Sequence, residues 1–253
     1  MFKFPRKLRF AWLAAALVLP LAAAAQQLTV SAAASLTDAF KEIGPRFEAT
    51  KPGVTVRFNF AASDVLMQQI VQGAPVDVFV SADQETMSRG IDKKLLDTDT
   101  RRDFAANTLV LIVPAQNPPP VGGLADLGSP AVKRIAIGKT ASVPVGRYTK
   151  QALETAGLWA SLEPRFVQAD NVRQVLDYVA RGEAEAGFVY RTDAAIMADK
   201  VKVVQTVEGH APVRYPVAVV SDGKNKALAR DFAAYLLAPE AQAILAKFGF
   251  GRP

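Results

Sequence analysis

No cysteine occurs among the 253 residues, and histidine occurs once, as His210. The first absence excludes disulfide frameworks, cysteine nucleophiles, thiolate-held zinc and iron–sulfur clusters. The second excludes metal sites built from several imidazoles, and it leaves a serine-hydrolase triad only if His210 is its base. His210 lies between Gly209 and Ala211 in a polar stretch that reads as a surface turn. A large charge excess is lacking too. The formal net charge is +6, from 30 Lys and Arg against 24 Asp and Glu. Four of those bases (Lys3, Arg6, Lys7, Arg9) and none of the acids fall in the first 25 residues, so the remainder carries 26 against 24. That balance is too small to suggest a nucleic-acid binder. No Walker loop and no G-x-G-x-x-G follows a strand.

Beyond the N-terminus there is no apolar run long enough for a membrane span, which takes about 20 residues. Phe10–Ala25 holds sixteen, is interrupted by Pro20 and ends in four alanines after a basic start. This is the pattern of a secretory signal, expected over 1–25 with cleavage after Ala25 and a mature start at Gln26. No cysteine follows for lipid attachment. The mature protein is expected to be exported, soluble and periplasmic.

What the chain has is apolar content, 50%, with 21% charged residues, enough to bury a core. Short apolar strands alternate with helical periodicity. Strands are expected at 28–34, 54–60, 76–80, 107–113, 134–137, 165–167, 186–190, 201–207 and 213–220. The helix after Ser35 shows Leu36, Ala39, Phe40, Ile43 and Phe47 at helical spacing, and Asp38 lies three positions beyond Ser35, as in a capping box. Further helices are expected after Ser63, near Asp83, from Pro144 to about 156, from an Asn171 cap to Gly182, after Asp193, and over 225–237 and 239–248. The alternation predicts an α/β fold with mostly parallel sheets. The Pro-rich loop at 116–123 separates two α/β stretches, 28–106 and 125–208. The closing strand and helices read as the missing side of the first stretch. The chain would then cross into a second lobe and return, through strands 107–113 and 213–220. The expected division is 26–108 plus 214–253 against 109–213.

Ligands of α/β sheets bind at the carboxyl ends of strands, where unpaired N–H groups and the positive end of a helix favour an anion. Four strand–helix junctions fit such a site: Ala32-Ala33-Ala34-Ser35, Phe60-Ala61-Ala62-Ser63, Ser142–Gly146 and Asp170–Arg173. Taken from pattern alone, each serine is more often just a helix cap, and Tyr190 more often a core or rim tyrosine than a ligand contact. Val145 and Val172 have no polar side chain and offer only a backbone N–H. Arg101-Arg102, Glu183 and Glu185 read as solvated.

The ordered set AAASLTDAF (32–40), FAAS (60–63), GAPVDVFVSAD (73–83), VPVGRYTKQALE (143–154), NVRQVLDYVARGEAEAGFVY (171–190) and YPVAVV (215–220) closely resembles the periplasmic molybdate-binding proteins of ABC importers, from about residue 28 to Phe250. The resemblance implies a type II periplasmic binding fold: two α/β lobes, a two-strand hinge and an oxyanion between them. It puts the hydroxyl ligands on Ser35, Ser63 and Tyr190 and the backbone donors on Val145 and Val172. Where the family commonly has Ala, this chain has Val145; after Ser63, where it often has a small or hydroxyl residue, this chain has Asp64. The expected ligand is molybdate, with tungstate, and molybdenum is held as its oxyanion with no direct protein-to-metal bond. No cofactor, no enzymatic activity and no nucleic-acid partner are expected. The expected partners are the membrane subunits of an ABC permease, and the expected state is a monomer. The alternative is another tetrahedral oxyanion, sulfate or phosphate; Asp64 favours phosphate, because a carboxylate accepts the phosphate proton. For molybdate, Asp64 is expected at the first helical turn, facing away from the cleft as a screened surface charge.

Mass spectrometry of the exported protein should find a chain starting at or next to Gln26; an intact Met1–Ala25 segment there would reject the export reading.

Overall fold

The computed structural model describes residues 26–253, so the expected signal peptide at 1–25 lies outside the described residues. Among the described residues there are ten strands: β1 (Gln26–Ala33), β2 (Val54–Ala61), β3 (Val78–Val80), β4 (Arg102–Asn107), β5 (Leu109–Pro114), β6 (Ile135–Gly138), β7 (Phe166–Ala169), β8 (Ala186–Tyr190), β9 (Val201–Thr206) and β10 (Val213–Val219). Nine α-helices connect or cover them: α1 (Thr37–Thr50), α2 (Ser63–Val71), α3 (Gln84–Asp92), α4 (Pro144–Thr155), α5 (Trp159–Leu162), α6 (Val172–Ala180), α7 (Arg191–Ile196), α8 (Lys226–Tyr235) and α9 (Pro239–Lys247).

The strands form two five-stranded sheets of the same design, β2-β1-β3-β10-β4 and β7-β6-β8-β5-β9. In each, a first strand lies between two parallel neighbours: β1 between β2 and β3, β6 between β7 and β8. In each, one strand is inserted antiparallel: β10 between β3 and β4, β5 between β8 and β9. Four of the eight pairings are therefore antiparallel, which corrects the expectation of mostly parallel sheets. The physical reason is the route of the chain. A strand reached through a helical crossover runs parallel to its predecessor. The inserted strands arrive instead from the other sheet and enter from the opposite end.

The chain passes between the sheets at Thr108, between β4 and β5, and again over 207–212, between β9 and β10. The expected crossing strand 107–113 is thus the second half of a longer path, and β4 was not anticipated. Arg-Asp-Phe-Ala-Ala-Asn buries only Phe104 and Ala105, as suits an edge strand. The return strand lies wholly in the first sheet.

Each sheet is covered by apolar helix faces. Phe40 and Phe47 of α1 meet Phe232 of α8 with ring centroids 6.1 and 5.1 Å apart, so the C-terminal helix covers the sheet that the N-terminal strand begins. In the second sheet, β5 is buried from Leu109 to Val113, and Val175, Leu176 and Val179 of α6 pack on it and its neighbours. Among the described residues no helix is long and apolar enough to cross a membrane.

One close approach fixes the start of α4. A Cβ on Gly146 would lie 2.1 Å from the carbonyl oxygen of Gly138, at the end of β6. Backbone cannot yield as a flexible side chain does, so Gly146→Ala must push α4 away from β6. The expected cost is about 1–3 kcal/mol, as for other overpacking substitutions, read as a lower urea midpoint. A midpoint equal to wild type would show that the contact is not tight.

Candidate functional site

The strand–helix junctions converge. Ala33 ends β1, with Ala34 and Ser35 just beyond it; Ala61 ends β2, with Ala62 and Ser63 just beyond it; Val143 precedes Pro144 and Val145 at the start of α4; Asn171 caps α6, which Val172 begins; Tyr190 ends β8. Together with Ala82 they line one small, tight cavity. All five residues singled out in the sequence, Ser35, Ser63, Val145, Val172 and Tyr190, are therefore brought together. No charged side chain is in the lining. The helices come from both sheets: α1 and α2 pack with the first, α4 and α6 with the second.

Each potential donor is set up by its neighbours. Ser63 is the first residue of α2, and its Oγ accepts the N–H of Ala82 at 3.0 Å. The hydroxyl proton then remains for another acceptor. Ser35 Oγ lies 3.0 Å from the hydroxyl of Tyr215 on β10. That tyrosine oxygen accepts from Asn107 Nδ2 at 3.2 Å, so its own proton can go to Ser35, leaving the Ser35 proton for the cavity. Neither serine caps its helix by side-chain hydrogen bond, and the expected capping box at Ser35 and Asp38 is absent. Asp38 instead pairs with Arg173. The true side-chain caps are Asp83 for α3 and Asn171 for α6.

Val145 and Val172 stand at the second and first positions of α4 and α6, where a backbone N–H has no partner inside the helix. Tyr190 is buried, and its hydroxyl has no protein partner. A buried unpaired hydroxyl costs about 1–3 kcal/mol, so this group is poised for a ligand. Burial pushes the Tyr190 pKa well above its ordinary range, with the nearby Tyr215 and Tyr148 adding to it. Tyr148 and Tyr215 are likewise raised by burial. All three remain protonated at any physiological pH.

Asp64 is not in the lining, as the molybdate reading requires, yet it is no screened surface charge. It is 8% exposed. It pairs with Arg147 at 2.7 Å and with Arg89, and accepts from Thr86 Oγ1 at 3.0 Å. The first turn of a helix does aim Asp64 away from Ser63's direction; what it meets there is a guanidinium from α4, which no local pattern reveals.

Arg147, Arg173, Asp193 and Tyr215 support the site and were not singled out in the sequence, although the stretches 143–154, 171–190 and 215–220 include three of them. Their partners are 64 or more residues away in most cases, so only the fold shows them. His210 is tied to Val207 and Ala211 carbonyls and is not at the cavity. Glu183 is exposed, whereas Glu185 accepts the backbone N–H groups of Lys133 and Arg134, which corrects its expected solvation. Arg101 is half-buried against Gln84 and Ser88, and Arg102 is exposed. Among the described residues no group of three or more His, Cys, Asp or Glu is placed to hold a metal ion.

The family model for bacterial extracellular solute-binding proteins matches residues 28–251. The molybdate-binding protein ModA of Escherichia coli strain K12 is 41% identical over 230 residues, covering 88% of each chain. Two solved structures share the fold. One is the substrate-binding domain of a putative molybdenum ABC transporter from Clostridium difficile, 39% identical with a TM-score of 0.69, covering 90% of this chain and 99% of that one. The other is the periplasmic molybdate-binding protein of Azotobacter vinelandii, 25% identical with a TM-score of 0.77, covering 89% and 99%.

Asp193 generates a pH prediction. It is fully buried on α7, and burial lifts its pKa from an ordinary 3.8 to about 6 against the opposing pull of Arg173. The folded state therefore holds this proton up to a higher pH than the unfolded state. Its contribution is best below about pH 4 and is lost as pH rises to about 6, by roughly 3 kcal/mol at ~1.4 kcal/mol per unit. Asp193→Asn removes that titration. The wild-type minus variant difference in urea-unfolding free energy should fall between pH 4 and 6; a flat difference would reject the assignment.

Proposed function

The chain belongs to the bacterial extracellular solute-binding protein family, and from that premise we propose that it captures molybdate, and tungstate with it, for an ABC importer. On this reading the anion sits between two lobes, 26–108 with 214–253 on one side and 109–213 on the other. Ser35, Ser63 and Tyr190 donate through hydroxyls, and Val145 and Val172 through backbone N–H groups. The protein acts outside the cytoplasmic membrane, after loss of 1–25, as a monomer that hands its cargo to the membrane permease. It binds and does not catalyse.

The observation that carries this reading is the neutral, donor-rich lining: three hydroxyls and two helix-start N–H groups around one small cavity, with no Lys or Arg among them. Five donors suffice for the four oxygens of a tetrahedral dianion. Its charge is spread onto helix N-termini, each favourable by about 0.3–1 kcal/mol at an exposed end and more when buried. Such a lining favours a fully ionised oxyanion. A protonated one turns an O–H toward a donor, at about 1–3 kcal/mol for the unsatisfied group. Phosphate carries a proton at neutral pH, and the one carboxylate that favoured it, Asp64, is outside the lining and committed to arginines. Sulfate has the right charge and is separated from molybdate by size alone.

Thermal melting with molybdate, tungstate, sulfate and phosphate tests the ligand. A ligand held only by the folded state adds about 4 kcal/mol at ~1,000 times its Kd. Molybdate and tungstate should raise the melting temperature strongly and phosphate should not; no shift with millimolar molybdate would reject the proposal. In calorimetric titration, Tyr190→Phe should weaken molybdate binding by roughly 1.5–3 kcal/mol, one hydrogen bond to a charged group. Ser63→Ala should do the same and lower stability as well, because Ala82 N–H loses its acceptor. Val172→Ala should bind nearly as wild type, since its contact is through the backbone.

A further inference from the structure

The two arginines next to the site bridge the two sheets' helices, each beside a different pair of proposed ligand groups. Arg147 follows Val145 by two residues on α4. Its Nε lies 2.9 Å from Asp83 Oδ2, and its Nη2 lies 2.7 Å from Asp64 Oδ2 and 2.9 Å from Thr86 Oγ1. Asp64 follows Ser63, and Asp83 caps α3. The three side chains are almost out of solvent, with Arg147 12%, Asp64 11% and Asp83 5% exposed. Arg173 follows Val172 on α6. Its Nη1 lies 2.7 Å from Asp38 and its Nη2 donates to the carbonyl of Ser35 at 3.2 Å, while its Nε lies 2.7 Å from the buried Asp193 on its own side.

Neither guanidinium lines the cavity, so neither is a ligand group. Their placement has another consequence. On the first-sheet side, Thr86 holds both carboxylates at once: its N–H goes to Asp83 Oδ1 at 3.1 Å and its Oγ1 to Asp64 Oδ2 at 3.0 Å. Two buried carboxylates fixed on one threonine repel each other. The partly exposed Arg89 reaches Asp64 only by ion pairing, and only Arg147, from the other side, contacts both. The acid notch is thus completed by a side chain from the second-sheet side.

We propose that Arg147 and Arg173 are positioning residues for oxyanion capture: each forms a cross-cleft clasp, Arg147 on Asp64 and Asp83, Arg173 on Asp38 and the Ser35 carbonyl, that holds the donors of the two lobes at one spacing. This rests on the reading of the site as an oxyanion cleft between lobes. Arg147 ties the Val145 donor to Ser63, and Arg173 ties the Val172 donor to Ser35. Arg147 also neutralises the carboxylate nearest Ser63, which would otherwise oppose a dianion. Asp193 anchors Arg173 so that the guanidinium arrives already oriented. Affinity then depends on the closed fraction, because the apparent Kd is the intrinsic Kd divided by the fraction of competent molecules.

The test is calorimetric titration of molybdate into wild type, Arg147→Gln, Arg147→Lys, Asp64→Asn and the Arg147→Gln/Asp64→Asn double variant, at low and high salt, with circular dichroism melts to establish folding. Losing one buried charge pair that forms on closure should raise Kd roughly tenfold or more in Arg147→Gln. Arg147→Lys should recover part of it, keeping the charge and losing the two-carboxylate fork. The double variant should be less impaired than the product of the two singles, since both remove one interaction. Small-angle scattering should show a molybdate-bound Arg147→Gln that is less compact than bound wild type. A folded Arg147→Gln with wild-type Kd and wild-type bound radius overturns the clasp. Failure of wild type itself to bind molybdate overturns the oxyanion reading instead, and the two failures are distinct.

Discussion

A doubly charged anion held without a cation in its lining needs many neutral dipoles aimed at one point. On the proposed reading, the large features of this fold serve that constraint. A single sheet presents helix starts along one edge, all from one side. Two sheets of the same topology present them from both sides, and residues at or just beyond the ends of β1, β2, β3, β7 and β8, with the start of α4, line the one cavity. The small side chains at the junctions, Ala33, Ala34, Ala61, Ala62 and Ala82, allow backbone to approach where a larger residue would fill the cavity. Gly146 serves the same end from outside the cavity, since the seat of α4 against β6 sets where the Val145 N–H points.

The ionic groups form a separate layer. The arginines nearest the cavity, Arg147 and Arg173, are occupied by carboxylates and by a backbone carbonyl rather than offered to the ligand. An exposed ion pair contributes little, about 0–1 kcal/mol, whereas a pair removed from water depends on every partner being present. The polar relay behind Ser35 is the neutral counterpart. Asn107, at the end of β4 where the chain leaves the first sheet, donates to Tyr215 and to Thr192 of α7 at 2.8 Å. The orientation of one cavity hydroxyl is thereby tied to the segment through which the two sheets are connected.

The α/β class and the inner strands were legible in the sequence, and so were the junctions that meet at the cavity. The Ala-Ala-Ser junctions and the Asn171 start are local patterns, and the five proposed residues meet in one place. What the pattern hid were facts of long-range pairing. The insertions of β10 and β5 together reverse half of the sheet pairings and leave no trace in periodicity, because a strand's alternation is the same whichever way it runs. The edge strand β4 buries two residues of six and so lacks the apolar signal of the inner strands. Asp64 is the first-turn acid that its own neighbours suggest, but not the screened surface charge expected there; the guanidinium that pairs with it comes from 83 residues further along.

The burial of Asp64 outside the lining also narrows the chemistry. Had Asp64 faced the cavity, it would have been an acceptor suited to the proton of a partly ionised anion. With Asp64 and Asp83 both turned to Arg147, no carboxylate lines the cavity, and burial keeps Tyr190 protonated. The lining then has hydrogen-bond donors and nothing that preferentially accepts. Asn171 is the one exception by type, and its side-chain oxygen is already used by the N–H groups of Arg173 and Gln174. A site of this kind discriminates by protonation state before it discriminates by size. The ion pairs do not compete with that selectivity, because they remove from the cavity the only groups that would relax it.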